Sequence, residues 1–162
     1  MDIAIISDTH MPRGARRLPA ACVSRLRSAD LIVHAGDLNT LDVLDELRSL
    51  GEVVAVHGNV DEGAVRRTLP ASATVSAGGY RLAVIHDAGP ARGRLVRLRA
   101  RFPGADAVIF GHSHIPLLER SPEGFVILNP GSPTERRRAP HHTMAIGHAD
   151  HGGLTFELVV LD

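Results

Sequence analysis

The chain has 162 residues, 44% of them apolar, with a mean hydropathy of +0.03. That is enough for one domain with a buried core, and it excludes a disordered chain and a membrane-spanning one. Eighteen basic residues, all arginine, balance eighteen acidic ones, so no overall field recruits nucleic acid or an anionic membrane.

In chain order, residues 2–6 predict a strand that ends in Ser7-Asp8-Thr9-His10. Residues 11–17, with Pro12 and Gly14, predict a loop. Apolar positions 18, 22, 23 and 26 approach helical spacing over residues 18–28. Cys22, the only cysteine, falls there as a packing residue and excludes an internal disulfide. Residues 31–35 predict a second strand, ending in Gly36-Asp37-Leu38-Asn39. Leu41, Val43, Leu44, Leu47 and Leu50 mark a second helix, with Thr40 as N-cap and Gly51 as stop. Residues 53–57 predict a third strand, ending in Gly58-Asn59-Val60-Asp61. Strand, helix, strand, helix, strand implies parallel pairing with right-handed crossovers and a site at the carboxyl ends.

The second half reads differently. Residues 73–76 and 81–85 predict a hairpin through Gly78-Gly79, whose second strand runs into His86-Asp87. Residues 92–102 set Leu95, Val96, Leu98 and Phe102 among arginines, an amphipathic helix. The apolar run 105–110, between Pro103-Gly104 and Pro116, predicts a buried strand leading into Gly111-His112-Ser113-His114. Residues 125–128 lead into Asn129-Pro130-Gly131-Ser132, and residues 143–146 and 154–161 predict antiparallel strands. No linker or repeat divides residues 1–162, so a single domain is expected. The apolar stretch 3–6 is far too short for a signal or membrane segment, and cytoplasm is the expected compartment.

Ten histidines are the compositional excess, and four of them follow strands. Five strand ends carry metal-competent side chains: Asp8 with His10, Asp37, Asn59, His86, and His112 with His114. Singly, each has an ordinary reading as a turn residue, a cap or a satisfied core histidine. Seven such donors, each just after a strand of one sheet, point instead to metal. One zinc, manganese or iron ion does not accept seven protein donors beside a substrate water, so two ions are expected. A carboxylate bridges two cations through its two oxygens, and ions about 3.5–4 Å apart clamp the oxygens of a phosphoryl displacement. Two carboxylates and one hydroxide offset three of four positive charges, which leaves the site attractive to an anionic ester.

In order and spacing, Asp8-Thr9-His10, Gly36-Asp37, Gly58-Asn59-Val60-Asp61, His86 and Gly111-His112-Ser113-His114 resemble the successive motifs of the calcineurin-like metallophosphoesterases. The Gly-Asn-x-Asp form, the short chain and Asn129-Pro130-Gly131-Ser132 are most similar to the small bacterial and archaeal phosphodiesterase branch. The resemblance implies an α/β fold, a four-layer αββα sandwich of two facing mixed β-sheets with a dinuclear site at one edge. It implies Asp8, His10 and His114 on the first metal, Asn59, His86 and His112 on the second, and Asp37 as the bridge. The ions implied are manganese, with iron, zinc, nickel and cobalt as alternatives. The implied activity is phosphodiester hydrolysis of a small phosphate ester by in-line attack of a bridging hydroxide. Asp37, Asn59, Asp61 and His112 are its expected catalytic positions. Family members are often dimers or tetramers, so a homodimer or homotetramer is the implied assembly.

Two positions depart from the family. Val60 stands where the larger phosphatases have a histidine that protonates the leaving group. Asp61 is then a candidate to orient Asn59 or the leaving group, and activated aryl diesters are the favoured substrates. Asp87 stands where the family often has glycine, either as an acceptor that fixes the tautomer of His86 or as a solvated loop carboxylate. His34 and His57 read as strand histidines beneath the site or as supports of its donors. Arg16-Arg17 and Arg136-Arg137-Arg138 read as solvated loops or as guanidinium forks for phosphate. His141, His142, His148 and His151 read as surface or strand positions. The rivals are a phosphomonoesterase or nuclease on the same scaffold and, in another class, an interaction scaffold resembling the retromer subunit of vacuolar sorting.

Overall fold

The computed structural model describes residues 1–162. Strands β1 (Asp2–Ile6), β2 (Leu31–His34) and β3 (Val53–Ala55) pair in parallel, Ile3 opposite Leu31 and Ile32 opposite Val53. Helices α1 (Ala20–Ser28) and α2 (Leu41–Leu50) make the two crossovers. The chain steps across the sheet in one direction each time, so crossovers of one hand place both helices on one face. The opposite face is left free for a second sheet. The short helix α3 (Gly63–Thr68) then leads to a hairpin of β4 (Ser72–Ala77) and β5 (Tyr80–Ile85). Helix α4 (Arg94–Arg101), β6 (Ala107–Ile109), β7 (Leu117–Arg120) and β8 (Val126–Asn129) follow. The long strands β9 (Thr143–Asp150) and β10 (Gly153–Val160) return to the first sheet.

Two mixed five-stranded sheets result, β10-β9-β1-β2-β3 and β4-β5-β6-β8-β7. The two-residue period of each strand divides the core into three slabs. Ile3, Ile5, Leu31 and Val33 face Leu82, Val84, Ile109, Val126 and Leu128 between the sheets. Ala4, Ile6 and Ile32 turn the other way, under Cys22 and Leu26 of α1 and Leu44 and Leu47 of α2. Ala83, Ile85, Val108 and Ile127 pack outward against Leu98 of α4, with Phe110 and Phe125. Helix, sheet, sheet and helix are therefore the four layers, as the resemblance implies. Ile5 is fully buried, and its truncation to alanine costs about 2–5 kcal/mol.

The differences from the sequence reading are local. Helix α3 spans only six residues, fewer than two turns, too few to display a period. Strand β7 is an exposed edge whose Leu-Leu-Glu-Arg sequence does not alternate. Thr40 does precede α2 in extended geometry, but its hydroxyl makes no capping bond and is buried without a partner. The donors expected after strands of one sheet come instead from both sheets: β1, β2 and β3 of the first, β5 and β6 of the second. No helix is long and apolar enough to cross a membrane.

Candidate metal centre

Each predicted donor leaves its strand on a short loop, and the loops bend sharply. Asp8, His10, Asp37, His112 and His114 all lie in the left-handed region, with φ of 56°, 46°, 60°, 70° and 60°. Such a conformation costs a non-glycine residue on the order of 1–2 kcal/mol. The bends let positions i and i+2 of two loops reach one centre. Crowding does the rest. A Cβ on Gly58 would collide with Asp37 Oδ1, and one on Gly111 with Ser7 Oγ and Asp8 Oδ2. Glycine at these positions is what lets the loops close.

The seven donors meet. His114 Nε2 lies 3.1 Å from His10 Nε2 and 3.4 Å from Asp8 Oδ1, and the two rings stack at 5.0 Å. On the other side Asn59 Oδ1 lies 3.1 Å from His86 Nε2 and 3.0 Å from His112 Nδ1. Asp37 stands between them, its Oδ2 at 3.2 Å from His86 Nε2 and 3.8 Å from His10 Nε2. Its Oδ1 is occupied by the Val60 N–H at 3.0 Å. Only Oδ2 therefore faces both groups, where a bridge through both oxygens was expected. Asp8, His10 and His114 are close enough to share one ion, and so are Asp8, Asp37 and His86. Asp8 thus approaches both groups, where the sequence reading assigned it to the first alone.

The donor set suits a divalent cation. His114 Nδ1 donates to the Glu135 carbonyl and His86 Nδ1 to the Ala35 carbonyl at 2.8 Å. In the neutral rings this fixes the lone pair on Nε2, turned toward other acceptors. Burial drives the Asp8 carboxyl up to about 7, against the charge of His86 and the Ser7 hydroxyl. Burial likewise lowers His10, and brings His114 down to about 4. Burial opposes charge on Asp37 and His86 as well. There their mutual hydrogen bond and attraction win, holding Asp37 down at about 2 and raising His86. A cation among these atoms meets lone pairs and carboxylate oxygens on every side.

Around the donors the structure sorts the remaining candidates. Asp61 does not face the cluster. Its Oδ2 accepts the N–H of Asp37 at 3.1 Å and of Gly58 at 2.6 Å, and its Oδ1 that of Asn39 at 2.7 Å. With both oxygens bonded to backbone, Asp61 holds together the loops of Asp37 and Asn59; of its two expected roles, that is the geometry for orienting Asn59 and not for orienting the leaving group. Asp87 is exposed and accepts the Gly89 N–H; the Ala35 carbonyl takes the place beside His86 expected for it. His34 is fully buried and links two donor loops, Nε2 to Thr9 Oγ1 at 3.1 Å and Nδ1 accepting from Gly36 N–H at 3.1 Å. His57 touches no donor; its Nδ1 sits 3.3 Å from the neighbouring Gly58 carbonyl. His141 and His142 pair with Asp162, His148 pairs with Asp2, and His151 is exposed, all away from the cluster.

Four residues that the sequence reading did not single out for a role support the donors. Asn129 Nδ2 donates to the Gly111 carbonyl at 2.9 Å, ahead of the two histidines. Ser132 Oγ donates to the Asp8 carbonyl at 2.8 Å and Thr134 Oγ1 to the Thr9 carbonyl at 2.6 Å. Glu135 reaches furthest, its Oε2 lying 3.7 Å from His10 Nε2. Position just after Asn129-Pro130-Gly131-Ser132 was the one available signal.

Comparison with known proteins agrees with this architecture. The family profile described as the calcineurin-like phosphoesterase superfamily domain matches residues 1–152. A probable metallophosphoesterase of Methanothermobacter thermautotrophicus is 40% identical over 148 residues, covering 90% of this chain and 85% of the relative. Among solved structures, wild-type Vps29 of Entamoeba histolytica complexed with zinc is similar at a TM-score of 0.78 and 22% identity, each chain covered completely. An archaeal protein described as a novel phosphodiesterase is similar at a TM-score of 0.76 and 20% identity, with 99% of this chain and 100% of that one covered. At those identities the two structures speak for the fold, and the profile and the archaeal relative speak for the family. The chain belongs to the calcineurin-like phosphoesterase superfamily.

Proposed function

We propose that the protein is a dimetal-dependent phosphodiesterase acting on a small phosphate ester, with manganese as the preferred ion. One observation carries the reading: seven donors from five strand ends, spread over both sheets, converge, each within 3.4 Å of another in its group and the groups 3.8 Å apart at Asp37 Oδ2 and His10 Nε2. Asp8, His10 and His114 would hold one ion, Asn59, His86 and His112 the other, with Asp37 Oδ2 between. Divalent ions held there supply Lewis acidity, lowering the pKa of a water and neutralising charge that develops on the phosphoryl oxygens. The protein's own part is to place and aim. Asp37 is oriented by the Val60 amide, and His86 and His114 are locked in one tautomer by backbone carbonyls. His112 is exposed, and its second ring nitrogen has no protein partner, so it is free to meet a substrate oxygen. No acidic side chain stands at position 60, which favours esters with good leaving groups.

The second reading is an interaction scaffold, favoured by the likeness in fold to Vps29. A scaffold has no need of seven converged donors, five of them on strained backbone. The test is to strip metal with chelator, add back manganese and compare an aryl phosphodiester, the matching monoester and single-stranded DNA. Diester turnover dependent on the ion supports the proposal. Turnover of the monoester or DNA alone assigns the scaffold to those substrates, and no ion uptake with no turnover by any divalent metal favours the scaffold reading.

A further inference from the structure

One residue of each arginine group noted in the sequence, Arg16 and Arg137, borders the His10 side of the donor cluster. Arg16 NH2 bonds Glu135 Oε1 at 2.9 Å, and the two side chains are 25% and 28% exposed. Arg16 NH1 donates to the Arg13 carbonyl at 2.7 Å. The other carboxylate oxygen, Glu135 Oε2, lies beside His10 Nε2. The guanidinium therefore stands one carboxylate's width beyond the buried donors, oriented on two sides, with N–H groups left over. A carboxylate lies between it and the donors, so it borders the cluster without joining it.

The pair is not the one tie of its loop. Ser132 and Thr134 already tie that segment to the backbone of Asp8 and Thr9. Arg137, two residues on, is exposed and held at φ 48°, an uncommon conformation for arginine. Its charge bears on both His10 and His114. On the far side Arg66 bonds the carbonyls of Asp61 and Asn59 and has no carboxylate partner to aim it at the donors. Arg16 and Arg137 thus place two guanidinium groups on the His10 side.

We propose that Arg16, oriented by Glu135, is the positioning residue of a second anion subsite. The preferred substrate is then a phosphodiester that carries a further phosphate next to the scissile one. A planar guanidinium suits that ligand, since it offers paired N–H donors matched to phosphate oxygens. Glu135 keeps the fork aimed while the subsite is empty. The inference rests on the phosphodiesterase reading for its substrate, but not for its binding test.

Two matched pairs of probes test it. The manganese-loaded protein is given thymidine 5′-(p-nitrophenyl phosphate), with and without a 3′-phosphate. Separately, the chelated protein is titrated calorimetrically with thymidine 5′-monophosphate and with thymidine 3′,5′-bisphosphate. The expected result is a preference of roughly tenfold for the doubly phosphorylated partner in both arms. Arg16→Ala should bring both ratios close to one, Arg16→Lys should keep part of each, and Glu135→Gln should lower them. If neither ester turns over but the bisphosphate still binds more tightly through Arg16, the phosphodiesterase reading fails and the subsite stands. Equal affinity for the two nucleotides in the parent protein, or ratios unchanged in Arg16→Ala despite a lowered Tm, would mean that the ion pair is only a loop tie.

Discussion

The two halves of the donor cluster are built differently. Asp8, His10 and His114 are all buried, His10 and His114 stack, and each is held by the chain around it. Ser7 Oγ donates to Asp8 Oδ2 at 2.7 Å, Ser132 holds the Asp8 carbonyl, and the Glu135 carbonyl accepts from His114 Nδ1. On the other half Asn59 and His112 are exposed, and His112 meets His86 edge-on at 84°. The difference suggests a division of labour. A buried, cross-braced socket fits an ion that stays, and an open rim fits an ion and a substrate that exchange with solvent.

The contrast breaks or sharpens most under loss of a donor from each half. His114→Ala should empty the buried side and lower kcat/KM on an aryl diester by more than about a hundredfold, since even changes to residues behind the ligands cost ten- to a hundredfold. His112→Ala should release mainly the ion of the open side, with a smaller loss that excess manganese partly restores. Metal per chain by mass spectrometry, with turnover followed through a manganese titration, reads both. If the two variants lose the same ions equally, the two halves are one site.

Asp61→Ala comes next in size. It strips the shared acceptor from three amides in the loops of Asp37 and Gly58, at a cost of about 1–3 kcal/mol in urea unfolding. The pH–rate profile should keep both limbs. A vanished limb would give Asp61 a part in the proton transfers instead.

His34 supplies the pH dependence. Burial lowers its pKa from 6.5 to about 3, with the charge of His86 adding to the effect. Above pH 6.5 the ring is neutral in both folded and unfolded chains, and it contributes no slope. Below 6.5 the unfolded chain takes up the proton first, so stability is lost as pH falls from 6.5 toward 3. His34→Asn removes that slope. In chelated protein the stability gap between parent and variant should therefore narrow by on the order of 1 kcal/mol between pH 6.5 and 5. A gap independent of pH would show that His34 does not titrate as buried.

Ser132→Ala is the mildest change. It deletes the bond to the Asp8 carbonyl and the acceptor of the Thr134 and Glu135 amides but leaves the donors in place, for about 1–2 kcal/mol and weaker ion retention on the buried side alone. Loss from the open side instead would mean that the bracing is shared.

Much of this was legible in the residues. The parallel half of the first sheet follows from alternating strand and helix patterns, and the donors stand out because each comes directly after an apolar run. The supports were not legible, because their bonds are far apart in sequence. Ser132 reaches Asp8 across 124 residues and Thr134 reaches Thr9 across 125. Nothing local in Ser-Pro-Thr-Glu announces such partners. Asp61 stayed open between two roles for the same reason: its place in a motif was visible, and the three amides that satisfy it were not.

The sequence by itself determined which side chains could act as donors and that they would sit at strand ends, since hydrophobic period and chain direction are local properties. Tertiary structure decided which donors share a group, that Asp37 offers one oxygen and not two, and that Glu135 and Arg16 border the cluster. Those are distances between loops of two sheets. They are set only when the slab of Ile3, Ile5, Leu82 and Val84 closes and the glycines let the loops come within reach.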